Sequence, residues 1–217
     1  MIDVDNVAVK TVGGHRVLYV MATQAEYQDA LKTRFNPLIC QVGPVEAAMH
    51  VAAYLAAHGE VDLVVSLGSA GSAKLEQAQV YQVGLVAYRD MDASAFGFPV
   101  GVTPFSNLPA EIDLGMGVAG LTSASISTGA NVVSGEAYKT ISQDMVDMET
   151  WAIMRACHAM KVPMIGLRGI SDGAHPVAEL SDWTRYLSVI DERLGVAVDR
   201  VEAALENGEL VPVLPNL

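Results

Sequence analysis

The chain has 217 residues, a formal net charge of −12 at pH 7, and 51% hydrophobic against 18% charged residues. This length and apolar share favour one large α/β domain over residues 1–217 and exclude a disordered or fibrous protein. The negative charge repels phosphate backbones and anionic lipids, so we expect a small-molecule partner, no nucleic acid and no membrane.

The first part of the chain alternates strand and helix patterns. A strand at 16–22 precedes a helix at 23–35, and a strand at 38–42 precedes a helix that begins at Gly43-Pro44. Glu26 follows the carboxyl end of the first strand, which is the edge where ligands bind in open α/β sheets. Glu26 is therefore a candidate site residue, and a favourable position for an acid near a helix N-terminus is the alternative.

A small-residue sequence follows the next strand. The β-rich apolar run at 61–67 predicts a central strand, and GSAGS follows it at 68–72. GSAGS lacks the residues of a P-loop and of a dinucleotide fingerprint, so on its own it favours a tight turn over a ligand loop. Another strand is predicted at 79–88.

The middle of the chain has weaker patterns. A long loop at 89–105 contains Asp90 and Asp92, which lack a third acid or histidine at ligand spacing. Residues 115–127 give weak strand signals, and a turn at 128–133 leads into a second loop on the ligand side. We expect no metal, because the histidines other than His158 are too scattered to form a metal site: His15, His50, His58 and His175. His158 belongs to the polar stripe of a buried helix. We also expect no cofactor.

The segment 146–174 places three charges, Glu149, Arg168 and Asp172, inside apolar sequence. It predicts a strand end, a buried helix, a turn broken by proline, a strand at 163–169 and a loop. Both acids then lie at the ends of core elements, where a pocket can form. Arg168 needs a carboxylate partner in such a strand, and a structural ion pair is the alternative to a site role.

The end of the chain predicts one amphipathic helix from Asp182, capped by Ser181, to Asn207-Gly208. It should cover one sheet face, and it carries no evident chemistry. Cys40 and Cys157 lie in apolar surroundings that favour a reduced core state. Together with an N-terminus that lacks the pattern of a secretory signal, these cysteines predict a cytoplasmic protein.

Taken in order, these motifs resemble the nucleoside phosphorylase and nucleosidase superfamily, and most closely its 5′-methylthioadenosine/S-adenosylhomocysteine nucleosidases. The resemblance implies three layers, with helices flanking a central twisted mixed sheet that is largely parallel. It rests on the following residues and motifs: Glu26, Gly43, GSAG (Gly68 to Gly71), DxDxxAFG (Asp90 to Gly97), Thr128-Gly129, VDME (Val146 to Glu149) and RGISD (Arg168 to Asp172).

The resemblance implies three acidic roles. Asp172 would protonate or hydrogen-bond N7 of a departing purine, Glu26 would activate the attacking water, and Glu149 would hold the ribose hydroxyls. Cleavage of an N-glycosidic bond passes through a cationic sugar, so it requires an acid on the base and a carboxylate near the cation.

The resemblance also implies further contacts. Ser69 would lie near the water and the ribose, and Met148 would pack against the sugar. Ser171 and Arg168 would hold the region of the acids in place. Additional substrate contacts would come from Gly71, Val132 and Val133, and a neighbouring subunit of a homodimer would contribute Phe96 and Pro104.

Three features depart from the family pattern. Ala130, Asn131 and Val132 stand where an aromatic residue usually stacks on adenine, and Arg89 replaces a common histidine. Glu46 stands where asparagine is usual. Phosphorylases of the family place an arginine shortly before the glycine loop, whereas Ser66 and Leu67 stand there. We therefore expect a purine nucleosidase, with a phosphate-dependent phosphorylase or a non-catalytic nucleoside-binding protein as alternatives.

Overall fold

The computed structural model describes residues 7–173 and 179–215. Ala174, at the end of a predicted loop, and His175 lie outside these residues. The described strands are β1 Lys10–Val12, β2 His15–Met21, β3 Leu38–Ile39, β4 Leu63–Gly71, β5 Val80–Tyr88, β6 Glu111–Asp113, β7 Ser123–Thr128, β8 Met145–Asp147 and β9 Met164–Asp172. The described α-helices are α1 Asp29–Lys32, α2 Pro44–Ala57, α3 Thr150–Ala159, α4 Leu180–Thr184 and α5 Leu187–Glu206.

The nine described strands form one mixed sheet. Its main path runs β1-β2-β4-β8-β7-β5-β6, with β3 paired to β2 and β9 paired to both β4 and β5. β4 is parallel to β2 and β9, whereas β5 is antiparallel to β9 and β6. The expected α/β class is confirmed, and the sheet is more evenly mixed than the expected largely parallel one.

Alternate residues of the central strands enter two different apolar clusters. Leu18 and Val20 of β2 belong to the cluster that contains residues of α2 and α3. Val17 and Tyr19 belong to the cluster that contains residues of α1 and α5. Because successive strand residues point to opposite faces, both faces of the central sheet are buried, which explains the continuous apolar runs in the sequence.

Several predicted elements are confirmed with small shifts of their ends. These are the strands β2, β5 and β9, and the helices α2 and α3. Weak signals over 115–127 correspond only to β7, and the short strands β1 and β6 were not predicted. Both cysteines are buried and unpaired, as expected.

The single helix predicted at 23–35 is wrong. The segment forms a 3-10 turn at Gln24–Glu26 and then the short helix α1. The Asp191 carboxylate on α5 accepts hydrogen bonds from the backbone N–H groups of Gln28 at 2.9 Å and Ala30 at 2.7 Å. A carboxylate from a distant helix thus caps α1 and fixes a new helix start after the turn.

The tight turn predicted for GSAGS is also wrong over its first four residues. β4 continues through Gly71, because β9 pairs with it along this stretch, with a register shift at Ala70 and Gly71. A side chain at Gly68 would lie 3.3 Å from Glu26 Oε1, and one at Gly71 would lie 2.7 Å from Asp172 Oδ1. The small residues therefore allow two carboxylates to approach the end of this strand.

The predicted final helix is divided into α4 and α5. The residue that caps α4 is Glu179 and not Ser181, through a reciprocal capping box with Asp182. α5 begins only at Leu187, and its residues Ile190, Leu194 and Val198 belong to the apolar cluster that contains Val17 and Tyr19 of β2. The division lets α4 carry Trp183 to a site away from the packed face, so the expectation that this region carries no chemistry needs revision. Over the described residues, no helix is long and apolar enough to cross a bilayer.

Candidate active site

A cavity of about 490 Å³ lies where β2, β4 and β9 end, and the wall includes Glu26, Glu149 and Asp172. The three strands run parallel, so their carboxyl ends share one edge of the sheet. Glu26 follows β2, Asp172 ends β9, and Glu149 follows β8. Three acids from distant parts of the sequence therefore face one cavity.

Glu26 is almost completely buried, and its two oxygens differ. Oε1 accepts hydrogen bonds from the Ser69 backbone N–H at 2.7 Å and from the Ser69 hydroxyl at 2.6 Å. Oε2 is buried and has no hydrogen-bond partner among the described residues. Burial raises the pKa of Glu26, and the bonds from Ser69 oppose that rise. Oε2 is thus the oxygen of Glu26 that no described group engages.

Trp183 of α4 extends this arrangement. Its indole Nε1–H donates to Ser69 Oγ at 2.8 Å, across 114 positions of the chain. Leu180 and Glu179 line the cavity beside it. The sequence offered no signal for this contact, because the amphipathic pattern of the region places Trp183 with the apolar residues that pack on the sheet.

Glu149 occupies the N-cap position of α3. Its Oε1 accepts a hydrogen bond from the backbone N–H of Gly43 at 2.8 Å, and Gly43 has a φ of 99°, which favours glycine. Burial and the nearby Asp147 charge raise the pKa of Glu149 to about 7. Burial and the Asp147 charge therefore disfavour the ionised form of this carboxyl group.

Arg168 does not line the cavity but lies behind it, 2% exposed. Its Nε donates to Asp147 Oδ2 at 3.2 Å, and its Nη2 donates to the hydroxyls of Ser66 at 3.0 Å and Thr150 at 2.7 Å. The carboxylate partner that the sequence required for Arg168 is therefore Asp147. The ion pair joins β9 to the end of β8, and the hydrogen bond to Thr150 joins β9 to the start of α3, next to Glu149.

Asp172 is half-buried at the end of β9, and hydroxyl groups contact both of its oxygens. The Ser171 hydroxyl donates to Oδ2 at 2.7 Å, and the Tyr138 hydroxyl donates to Oδ1 at 3.3 Å. Tyr138 comes from the 3-10 turn Gly135–Thr140, and its burial beside Asp172 raises its pKa. Tyr138 was not predicted as a site residue, because a tyrosine in an irregular segment gives no periodic signal.

Arg89 also lines the cavity. Its Nη1 donates to the backbone oxygens of Ser127 at 2.6 Å and Asp147 at 2.9 Å, and its Nη2 donates to that of Asn131 at 2.6 Å. Burial lowers the pKa of Arg89. The guanidinium group therefore braces the loop at 128–133 against the end of β8.

The remaining predicted site residues fall into two groups. Phe96, 85% exposed, and Pro104 are absent from the wall of this cavity. Val132 lines the cavity and is 66% exposed, whereas Val133 lines it and is buried. The other predicted contacts on the wall are Ser69, Gly71, Met148 and Ser171.

Some residues on the wall were not predicted as contacts. Some of them lie close in sequence to predicted residues and could have been found by that proximity. Thr23 lies three positions before Glu26, and Val42 directly precedes Gly43. Others depend on the fold alone. The unpredicted residues are Ala22, Thr23, Val42, Ala70, Arg89, Asn131, Val146, Asp147, Glu179, Leu180 and Trp183. Among the described residues, no group of three or more His, Cys, Asp or Glu side chains could hold a metal ion.

Comparisons with known proteins agree with this architecture. The sequence profile of the phosphorylase superfamily matches residues 3–205. A 5′-methylthioadenosine/S-adenosylhomocysteine nucleosidase of Colwellia psychrerythraea strain 34H is 29% identical over 155 residues, which cover 60% of this chain and 63% of that protein. The match therefore spans less than two thirds of that relative.

Solved structures share the fold at lower identity. The nucleosidase of Campylobacter jejuni with the same two substrates in its name superposes with a TM-score of 0.71 and 21% identity, covering 89% of this chain and 100% of that one. A mutant of the Helicobacter pylori enzyme with 5′-methylthioadenosine in its active site superposes with a TM-score of 0.72 and 20% identity, covering 86% of this chain and 99% of that one. A futalosine hydrolase of Helicobacter pylori superposes with a TM-score of 0.69 and 20% identity, covering 84% of this chain and 97% of that one.

Proposed function

The chain belongs to the phosphorylase superfamily, and on that basis we propose that it is a purine nucleosidase. It hydrolyses the N-glycosidic bond of an adenine-type nucleoside such as 5′-methylthioadenosine or S-adenosylhomocysteine, and it releases the free base and the (thio)ribose. The observation that carries this proposal is the convergence of Glu26, Glu149 and Asp172 on one cavity. The nucleosidase from Colwellia psychrerythraea supports the choice of substrate.

Asp172 acts on the leaving base. As C–N cleavage proceeds, the purine gains negative charge, and a proton supplied at N7 converts it into a neutral leaving group. The hydroxyls of Ser171 and Tyr138 contact its two oxygens and fix the orientation of the carboxyl group. A proton donor positioned in this way contributes about 10²–10⁴-fold to rate.

Glu26 acts on the water. Its unpaired Oε2 accepts one hydrogen of a water molecule and takes the proton as the water oxygen attacks the anomeric carbon. The same carboxylate stabilises the positive charge that develops on the sugar, because both lie in a site of low dielectric constant. Burial raises the pKa of Glu26 and so makes it a stronger base than an exposed glutamate.

Glu149 binds the sugar. A carboxylate accepts two hydrogen bonds from vicinal hydroxyls, and only Oε1 of Glu149 is engaged by Gly43. Met148 lies on the same wall and provides an apolar surface for the ribose. The sugar is thereby held between the water at Glu26 and the acid at Asp172.

Hydrolysis is favoured over phosphorolysis by the charges on the wall. Among the described residues that line the cavity, Arg89 is the one cation, and its two Nη groups are engaged by the backbone oxygens of Ser127, Asp147 and Asn131. Glu26 and Glu149 would also repel a phosphate dianion. A neutral water molecule needs no free cation and is not repelled by these carboxylates.

We also propose a homodimer in which the loop with Phe96 and Pro104 covers the cavity of the neighbouring subunit. Phe96 is 85% exposed and Phe105 is 94% exposed, which is unusual for residues of this size. Val42 and Val132, on the wall of the cavity, are also exposed. Burying these side chains against a second copy removes apolar surface from water.

Two buried, unpaired cysteines support a cytoplasmic location.

Base release measured by ultraviolet absorbance tests the proposed reaction. The panel contains 5′-methylthioadenosine, S-adenosylhomocysteine, adenosine, inosine and futalosine, each with and without phosphate. We expect release without phosphate and no ribose 1-phosphate. Release that requires phosphate would identify a phosphorylase, and binding without release would identify a nucleoside-binding protein. Glu26→Gln and Asp172→Asn protein are assayed in parallel, and we expect both to release base much more slowly than the wild type.

A further inference from the structure

We propose that Trp183 is a positioning residue for the attacking water, acting through Ser69 on Glu26. This inference rests on the proposed hydrolysis and extends it to α4. The indole N–H determines the direction of the Ser69 hydroxyl, and the hydroxyl in turn determines which oxygen of Glu26 is offered to water.

The direction of each bond follows from the donor inventory. An indole Nε1–H only donates, so Ser69 Oγ must be the acceptor of the 2.8 Å bond from Trp183. A serine hydroxyl has a single hydrogen, and with its acceptor side occupied that hydrogen is free for Glu26 Oε1 at 2.6 Å. The three groups thus form a chain in which every hydrogen points towards the carboxylate.

This chain makes the two oxygens of Glu26 inequivalent. Oε1 accepts both hydrogen bonds from Ser69, one from the hydroxyl and one from the backbone N–H at 2.7 Å. Oε2 is left buried with no partner among the described residues. The absence of a side chain at Gly68 leaves room beside the carboxylate, since a Cβ there would lie 3.3 Å from Oε1 and 3.4 Å from Oε2.

Without Trp183 the hydroxyl of Ser69 loses its fixed orientation. It could then rotate and accept a hydrogen from a protonated Glu26, which would favour the form of Glu26 that cannot act as a base. The bonds from Ser69 and the charge of Arg168 favour the ionised form, whereas burial and the charge of Asp147 oppose it.

Other ionisable groups share the wall with Glu26 and are unchanged by a substitution at Trp183. They are Arg89, Asp147, Glu149, Asp172 and Glu179. A change in the acid side of the pH profile on replacing Trp183 alone therefore reports the contact between Trp183 and Ser69.

The test compares Trp183→Phe with Trp183→His. Phenylalanine keeps an aromatic ring without a donor, whereas histidine carries a ring nitrogen, Nε2, at the ring position that Nε1 occupies in tryptophan. We expect Trp183→Phe to lower kcat/KM about tenfold at low pH and to displace the acid limb upward by about 1 pH unit, with KM little changed. We expect Trp183→His to keep the limb close to its wild-type position.

A double-mutant cycle separates this role from packing. In a Ser69→Ala background, Trp183→Phe should have no further effect, because the group through which it acts is absent. Thr184→Val, an exposed change on the same helix, is the control and should behave as wild type. Thermal unfolding of each variant verifies that it folds.

Three results decide the inference. An unshifted acid limb in Trp183→Phe overturns it, and so does an equal loss in Trp183→Phe and Trp183→His. A loss from Trp183→Phe that persists undiminished in the Ser69→Ala background also overturns it and assigns Trp183 to packing. If the wild-type protein releases no base from any nucleoside, the proposed function itself is rejected. If the wild type is active and Trp183→Phe has the same pH profile and kcat/KM, only the inference about Trp183 is rejected.

Discussion

The backbone N–H of Gly43 donates a hydrogen bond to Glu149 Oε1 at 2.8 Å and so joins the start of α2 to the start of α3. The contact brings the carboxyl group of Glu149 into a buried position next to Asp147, where its charge is unfavourable. The same position leaves Oε2 of Glu149 for a ligand. The ionised carboxylate of Glu149 therefore destabilises the fold, yet it is held where a sugar hydroxyl would bind.

Glu149→Gln should stabilise the fold at alkaline pH and impair activity. The pKa of Glu149 rises from 4.5 to about 7 on folding, so between these values the folded state binds more protons than the unfolded state, and the free energy of unfolding falls as pH rises. Glutamine keeps an acceptor for Gly43 and removes the charge. We expect a gain of about 1–3 kcal/mol at pH 8 and almost none at pH 4. Thermal unfolding at both values measures it, and a lower melting temperature at pH 8 would contradict the assigned sign.

Asp172→Asn should lower kcat by about 10²–10⁴-fold with a smaller effect on KM, because an amide cannot supply a proton to N7. Its oxygen still accepts a hydrogen bond from Ser171 or Tyr138. Steady-state base release measures the effect. Asp29→Asn removes an exposed carboxylate that is absent from the cavity wall and is the matched control. Near wild-type rates for Asp172→Asn would remove Asp172 from the mechanism.

Gly71→Ala should lower activity because a Cβ would lie 2.7 Å from Asp172 Oδ1 and would also collide with the Tyr138 hydroxyl. Both groups must move to admit the methyl group, and this movement displaces the proposed acid. We expect a loss of at least about tenfold in kcat/KM. Gly59→Ala is the control, since a Cβ there meets no atom within 4 Å. Equal activity of the two variants would mean that the close approach at Gly71 has no functional consequence.

Asp191→Ala should destabilise the protein and disturb the segment that carries Glu26. It leaves the backbone N–H groups of Gln28, Ala30 and Leu31 without their carboxylate acceptor. We expect a loss of about 1–3 kcal/mol in the free energy of unfolding, measured by urea denaturation. Glu192→Ala, an exposed change at the next position of α5, should change stability by less than about 0.5 kcal/mol. Equal stabilities would show that the cap contributes nothing.

Phe96→Ala should weaken nucleoside binding if the loop of one subunit covers the cavity of the other. Titration calorimetry measures affinity, and sedimentation measures the oligomeric state. Val213→Ala shortens another exposed apolar side chain and should leave both unchanged. Wild-type affinity in Phe96→Ala would argue against a shared site, and a monomeric wild type would exclude the proposed homodimer.

Local sequence patterns determined most of the scaffold. Buried strands such as β2 and β4 are recognisable because apolar, β-branched runs identify strands that are covered on both faces. The acids Glu26, Glu149 and Asp172 stood out because charged residues at the ends of such runs are rare without a partner or a function. Their order along the chain carried the family resemblance, and that was sufficient to propose a reaction.

Only the tertiary structure decided which groups surround these acids. Asp191 divides the predicted helix at 23–35, and Trp183 and Tyr138 reach Ser69 and Asp172 across 114 and 34 positions. Periodicity reports which face of an element is apolar, but it contains no information on which distant segment completes a hydrogen bond. The sequence alone thus determined strands such as β2, β5 and β9 and the position of each acid at an element end. The packing of α4, α5 and the turn at Gly135–Thr140 decided how those acids are held.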